Sequence, residues 1–129
     1  MKVLKIEPGK IPAVKDIDSG LESLQKEVEG YIEVVYPFED DVGLVVNEEG
    51  KLCGMKLNRA LRDEDGNLYD IIAGPFLVVG LTKDDFCSLS DEMLEKYSKH
   101  FENPEMFIRS NGKIVAIPIN AEPDIKMTM

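Results

Sequence analysis

Residues 47–80 read NEEGKLCGMKLNRALRDEDGNLYDIIAGPFLVVG, and this stretch decides the fold. Its two acidic turns, Asn47-Glu48-Glu49-Gly50 and Asp63-Glu64-Asp65-Gly66-Asn67, each carry the glycine that tight turns use, because glycine reaches left-handed backbone angles without a Cβ clash. Residues 42–46 and 51–55 flank the first turn as the arms of a hairpin, and residues 68–73 follow the second as a strand. Residues 75–80 form the most apolar run and read as a central strand, since a strand covered on both faces needs no polar alternation. Gly74 allows a bulge or a close backbone approach ahead of it. Residues 56–61, which contain Asn58-Arg59-Ala60, fit a loop or a single helical turn.

Toward the N-terminus, residues 2–7 and 11–17 read as strands joined at Pro8-Gly9, a strong turn signal. Ser19-Gly20-Leu21-Glu22 has the form of a capping box. Leu21, Leu24 and Val28 follow at helical spacing, and Gly30 is placed to end this helix of about three turns in a left-handed cap. Residues 31–38 are aromatic and β-branched, so they suit a strand, and Pro37 puts that strand at an edge or at its end. Beyond residue 80, residues 85–89 suit a short strand. Ser90 caps a second helix, with Leu89 and Leu94 spaced as a hydrophobic staple and Met93, Leu94, Tyr97 and Phe101 facing inward. Asn103-Pro104 stops it. Residues 106–110 and 113–117 flank Asn111-Gly112, the strongest hairpin signal in the chain, and residues 121–129 look like a loose tail.

These elements make an α+β domain: a mixed, mostly antiparallel twisted sheet of six to eight short strands with two helices. Whether the sheet curls into a partial barrel stays open. At 129 residues the chain fits one domain, spanning 1–129, large enough to bury a substantial core.

Charge is distributed unevenly. Residues 16–49 hold eleven acids against one base, Lys26, which accounts for the whole net charge of −10. A field of that sign disfavours direct binding to nucleic acid or anionic lipid. It suits a basic protein partner or a cation, or serves solubility alone. No apolar run approaches the roughly 18–20 residues that cross a bilayer, and the alternating N-terminus is unlike a signal peptide. A cytoplasmic, membrane-free protein is expected. Cys53 and Cys87 lack metal-ligand spacing and disulfide density, and read as buried thiols in a reducing compartment.

Candidate chemistry is sparse. With Gly66 at the sixth position of a calcium loop, Leu61 and Ile72 would occupy its first and twelfth positions, where oxygen ligands are required. The turn is therefore a hairpin turn, and no metal site is expected. His100, the only histidine, sits near a helix end, where a partly positive imidazole suits the dipole. Nothing in the sequence gives it a substrate proton to move. Cys87 would have to share one cleft with His100, and apolar surroundings raise a thiol pKa. No nucleophile elbow and no phosphate-cradling Gly-Lys-Ser/Thr occurs. The expectation is a chain with no catalytic residues and no cofactor, and not an enzyme.

Asn58 and Arg59 are the most informative polar pair, inside a patch with Lys51, Lys56 and Arg62. Asp70 is the expected ion-pair partner of Arg59. A guanidinium beside an amide can read a carboxylate or phosphate, or it can brace a loop through backbone carbonyls. The brace is the favoured reading, with an anion-binding site at Asn58, Arg59 and Asp70 the alternative.

Glu7-Pro8-Gly9-Lys10, residues 21–28 closing on Gly30-Tyr31-Ile32-Glu33, Asn47-Glu48-Glu49-Gly50-Lys51-Leu52, Asn58-Arg59-Ala60-Leu61 and residues 72–80 occur in that order. Together they resemble a small uncharacterised domain family of Gram-positive bacteria, their phages and conjugative elements. The resemblance covers residues 2–101 and leaves 102–120 as an added C-terminal hairpin. The family has no assigned activity, cofactor or catalytic residue, so it implies none here. Residence on mobile elements implies a host-facing role. The expected function is a non-enzymatic interaction protein engaging a basic host protein through Asp16, Asp18, Glu22, Glu29, Glu33, Glu39, Asp40 and Asp41. A small anionic-ligand binder is the alternative, and a homodimer through the C-terminal extension stays open.

Overall fold

The computed structural model describes residues 1–120; the tail read at 121–129 lies outside the described residues. Strands β1 (Lys2–Ile6), β2 (Ala13–Asp16), β3 (Ile32–Val35), β4 (Val42–Asn47) and β7 (Phe76–Leu81) form the main sheet in the order β2-β1-β7-β4-β3, and the short β8 (Phe86–Cys87) pairs with β7. Every pairing among the described strands is antiparallel. The apolar run at 75–80 is central, as its composition requires, and β3 lies at the edge. Neither this sheet nor the two small ones close into a barrel.

Alternation along the strands sorts the core into two layers. Val3, Leu77, Val79 and Val45 face helix α1 (Leu21–Val28), where they meet Leu24 and Val28. Leu4, Ile6, Leu44, Phe76 and Val78 face the other way. There they meet Tyr97 and Phe101, at the C-terminal end of α2 (Asp91–His100), and Leu61 and Ile72 of the hairpin β5 (Leu57–Arg62) and β6 (Leu68–Ala73). The sheet is thus the middle of three layers. A last hairpin, β9 (Glu105–Ser110) and β10 (Lys113–Pro118), leans on β5.

Ten strands form among the described residues, where six to eight were expected. The segment read as a loop or helical turn is strand β5. Its signal is hidden by a bulge: Leu57 faces Ala73 and Arg59 faces Ile72, leaving Asn58 as the extra residue. A bulge breaks the alternation by which strands are recognised. The expected strand at 51–55 is instead a run of turns, with Cys53 N–H donating to Glu49 O at 2.8 Å and Met55 N–H to Gly50 O at 3.0 Å. Gly50 sits so close to Ala73 that a Cβ there would lie 2.6 Å from its carbonyl oxygen.

Helix α1 is shorter than expected and differs at both ends. Gly20, not Ser19, is its N-cap, and no side chain caps it. Glu29, not Gly30, takes the left-handed conformation, at φ 63°. Gly30 is needed for contact instead, since a Cβ there would lie 2.6 Å from Asn47 Nδ2, the amide that donates to Val28 O at 3.0 Å and closes the helix. Helix α2 begins as expected, with Ser90 Oγ accepting from Met93 N–H at 3.2 Å. Asn111 and Gly112 adopt φ 52° and 78°, the left-handed pair of a two-residue hairpin turn. Cys53 is exposed and Cys87 half-buried, so the expected burial fails at Cys53; both thiols are free.

Candidate functional site

The bulge in β5 turns two consecutive polar side chains inward. Asn58 Nδ2 donates to Ile6 O and Gly74 O, both at 2.9 Å, and its Oδ1 accepts from Arg59 Nη1 at 2.9 Å. Arg59, only 2 % exposed, donates from Nε and Nη2 to Phe101 O at 3.1 and 2.9 Å, and from Nη2 to Lys10 O at 2.6 Å. Burial pulls its pKa down, and Glu105 nearby opposes that; a guanidinium remains charged regardless. The cation sits against the carbonyl at the end of α2, where the helix dipole is negative. Its geometry is that of a brace joining β5, α2 and the β1–β2 loop. Asp70 does not pair with it. That carboxylate accepts from Lys51 and from its own neighbour Ile71 N–H.

The acids named from the sequence separate onto both sides of the sheet. Asp16 pairs with the N-terminal ammonium at 2.9 Å, whose hydrogen bond and charge lower its pKa. Asp18 and Glu22 border a wide, shallow groove between β2 and α1, with Lys26 on the same wall. Glu29 caps α1. Glu33 stands beside a hollow of about 300 Å³ under the β5–β6 hairpin, with Glu48, Glu49, Lys51 and Asp70. Asp41 is exposed at the start of β4. Glu27, not singled out from the sequence, is buried on the α1 side. Burial works to raise its carboxyl, but hydrogen bonds from Lys15 at 2.8 Å and Lys5 at 2.9 Å outweigh it and hold it low. These acids do not make one continuous acidic face.

Glu39 and Asp40 join acids that lie outside residues 16–49. They border a groove of about 770 Å³ between residues 37–40, the β5–β6 turn and α2, together with Asp63, Glu64 and Asp65. The turn brings its three acids there because Asp63 Oδ1 accepts from Asp65 N–H and Asn67 N–H at 3.0 and 2.9 Å. Aromatic rings build the lining: Phe38 packs 4.8 Å from Tyr97 and 5.0 Å from His100, centroid to centroid, and Tyr69 is exposed at the wall. The two cations of the groove are already paired, Arg62 with Glu105 at 2.7 Å and Lys96 with Asp40 at 2.5 Å. Glu39, Asp63, Glu64 and Asp65 make no ion pair among the described residues.

Titration follows this layout. Hydrogen bonds from Lys96 and from Tyr97 Oη, the latter at 2.7 Å, lower Asp40. Burial, then the bond to Asp40, raises the Tyr97 phenol well above its ordinary value. Burial and the charge of Arg62 lower His100 despite Glu105. The imidazole is therefore neutral at pH 7, not the partly positive group expected at a helix end. No cluster of three or more metal-ligating side chains occurs among the described residues, and no helix among them is long and apolar enough to cross a membrane.

Tyr69, Glu64 and His100 belong to this groove, although only the turn and the lone histidine are conspicuous in sequence. The alternation Leu68-Tyr69-Asp70 beside a turn could have shown Tyr69 pointing outward; nothing local marks Lys96 as the partner of Asp40.

The chain belongs to DUF3846, a domain of unknown function whose family model matches residues 1–102. No curated protein and no solved structure matches it.

Proposed function

We propose that this chain is a non-enzymatic interaction domain that takes a basic, extended segment of a partner protein into the groove between residues 37–40, the β5–β6 turn and α2. One observation carries the reading: Glu39, Asp63, Glu64 and Asp65 ring an aromatic-lined groove with no counter-ion among the described residues, while the groove's own cations are occupied. A lysine or arginine entering there meets carboxylates at the rim and the rings of Tyr69 and Phe38 in the lining, a combination that favours cations. The neutral His100 adds no repulsion. A basic host protein met by a mobile-element-borne chain in the cytoplasm is the partner this chemistry fits. The anionic-ligand reading has less support, because the Arg59 donors are taken by carbonyls and the rim charge repels anions.

The test is a tagged capture from host lysate at low and high salt. It compares the native chain with a Glu39→Lys/Glu64→Lys/Asp65→Lys variant and an Asp18→Lys/Glu22→Lys control. A basic protein retained by the native chain and the control, lost from the groove variant and released by salt, supports the groove. Equal retention by all three, or loss only from the control, sets it aside.

A further inference from the structure

The hollow of about 300 Å³ under the β5–β6 hairpin lies where that hairpin packs on β4, beside the edge strand β3. Its volume is at the lower end for small-molecule sites, and it shares no lining residue with the groove at residues 37–40. Strand register builds its floor. Glu33 pairs with Val46 and Val35 with Leu44, so Glu33 and Val35 share the sheet face that carries the core residues Leu44 and Val46. Leu61 pairs with Asp70, and Ile72 follows two residues on. Leu61, Asp70 and Ile72 therefore share the hairpin face that packs toward that core. Val35, Val46, Leu61 and Ile72 make the floor of the hollow apolar.

Charge selects the occupant. Glu33, Glu48, Glu49 and Asp70 also line the hollow, and Lys51 is the only base that does so among the described residues. Lys51 is already paired with Asp70. Glu33, Glu48 and Glu49 are exposed and make no ion pair among the described residues. An anion entering here meets four carboxylates, and a neutral molecule leaves their charge unanswered. A bare cation leaves the apolar floor in water. Leu52, in the run of turns at 48–54, lines the hollow yet is 88 % exposed; an apolar body bound here covers that side chain as well.

We propose that this hollow is a second binding site, for a small organic ammonium ion. Its apolar body rests on Val35, Val46, Leu61 and Ile72, and its charged head sits among Glu33, Glu48, Glu49 and Asp70. The head competes with Lys51 for Asp70. Water-exposed carboxylates each contribute little to such a contact. The apolar body therefore supplies most of the affinity, and the rim supplies the choice of charge. The site stands apart from the groove, so a ligand here does not depend on a basic partner there.

A ¹⁵N NMR titration of the full chain with 2-phenylethylammonium, to about 10 mM so that millimolar dissociation is covered, tests this. Three comparison probes are 2-phenylethanol, which lacks the charge, methylammonium, which lacks the body, and Nα-acetyl-lysinamide, which stands for a peptide lysine. The expected result is saturable shifts at Glu33, Glu48, Leu52 and Asp70 with 2-phenylethylammonium, and binding about tenfold weaker or less for each comparison probe. Glu33→Gln/Glu48→Gln/Glu49→Gln changes only exposed side chains. It weakens the ammonium by about threefold or more and leaves 2-phenylethanol unchanged. Lys51→Met frees Asp70 and tightens the ammonium, whereas Val35→Phe fills the floor and weakens the ammonium and the alcohol alike. Absence of saturation in the hollow, equal binding of any comparison probe, indifference to the glutamine variant, or shifts confined to Tyr69 and His100 would each overturn the proposal.

Discussion

Arg59 grips the carbonyl of Phe101 with two donors, Nε at 3.1 Å and Nη2 at 2.9 Å. That contact joins the bulged strand β5 to the end of α2, and the same guanidinium reaches Lys10 O in the β1–β2 loop. Replacing Arg59 by Met keeps the volume but leaves Phe101 O, Lys10 O and Asn58 Oδ1 without their donor. Each buried polar group left unsatisfied is destabilising by about 1–3 kcal/mol. Chemical denaturation of Arg59→Met is expected to show a loss of about 3 kcal/mol or more. A change under about 1 kcal/mol would show that the guanidinium is not the brace.

The two ends of one turn behave in opposite ways at the close of α1. Glu29 holds φ 63°, a conformation that is unfavourable for a residue with a Cβ, so Glu29→Gly is expected to stabilise by up to about 1 kcal/mol. Gly30→Ala places a methyl 2.6 Å from Asn47 Nδ2 and disturbs the amide that closes the helix, destabilising by about 1–3 kcal/mol. Thermal melts of the two variants should move in opposite directions.

Stability is expected to fall on acidification in two steps. His100 has a folded pKa below its ordinary value. Unfolded chains therefore bind more protons as pH drops below about 6.5, and the stability His100 contributes above that pH is lost toward its folded pKa. His100→Gln should flatten this first step. Glu27 and Asp40 are also held low, so their contribution is complete above about 4.5 and disappears below it. Glu27→Gln should weaken the second step and leave the first intact. Urea denaturation from pH 7.5 to 3.5 separates the two.

The elements legible in the sequence were those fixed by local chemistry. Ser90 caps α2, Asn111-Gly112 turns the last hairpin, and the apolar run at 76–79 occupies the sheet centre, each for a reason carried within a few residues. What escaped depends on contacts distant in sequence. Strand β5 is disguised by a bulge whose purpose, turning Asn58 toward Ile6 O and Gly74 O, is visible only once those strands are placed. Gly30 looks like a helix terminator, yet it is small because Asn47 approaches it from a neighbouring strand. The acidic segment at 16–49 reads as one surface but is divided by the sheet. Only Glu39 and Asp40 join the groove, where the acids of the 63–65 turn complete it. Charge runs along a chain do not reveal which face each residue will reach.

The most direct measurement is a backbone NMR titration of the ¹⁵N-labelled chain with a short, extended Lys/Arg-rich peptide at low and high salt. The groove reading predicts saturable shifts concentrated at Glu39, Asp40, Glu64, Asp65, Tyr69 and His100, weakened by salt and abolished in the Glu39→Lys/Glu64→Lys/Asp65→Lys variant. Shifts spread evenly over the acids of both sheet faces, shifts confined to the Asp18–Glu22 groove, or none at all would contradict it.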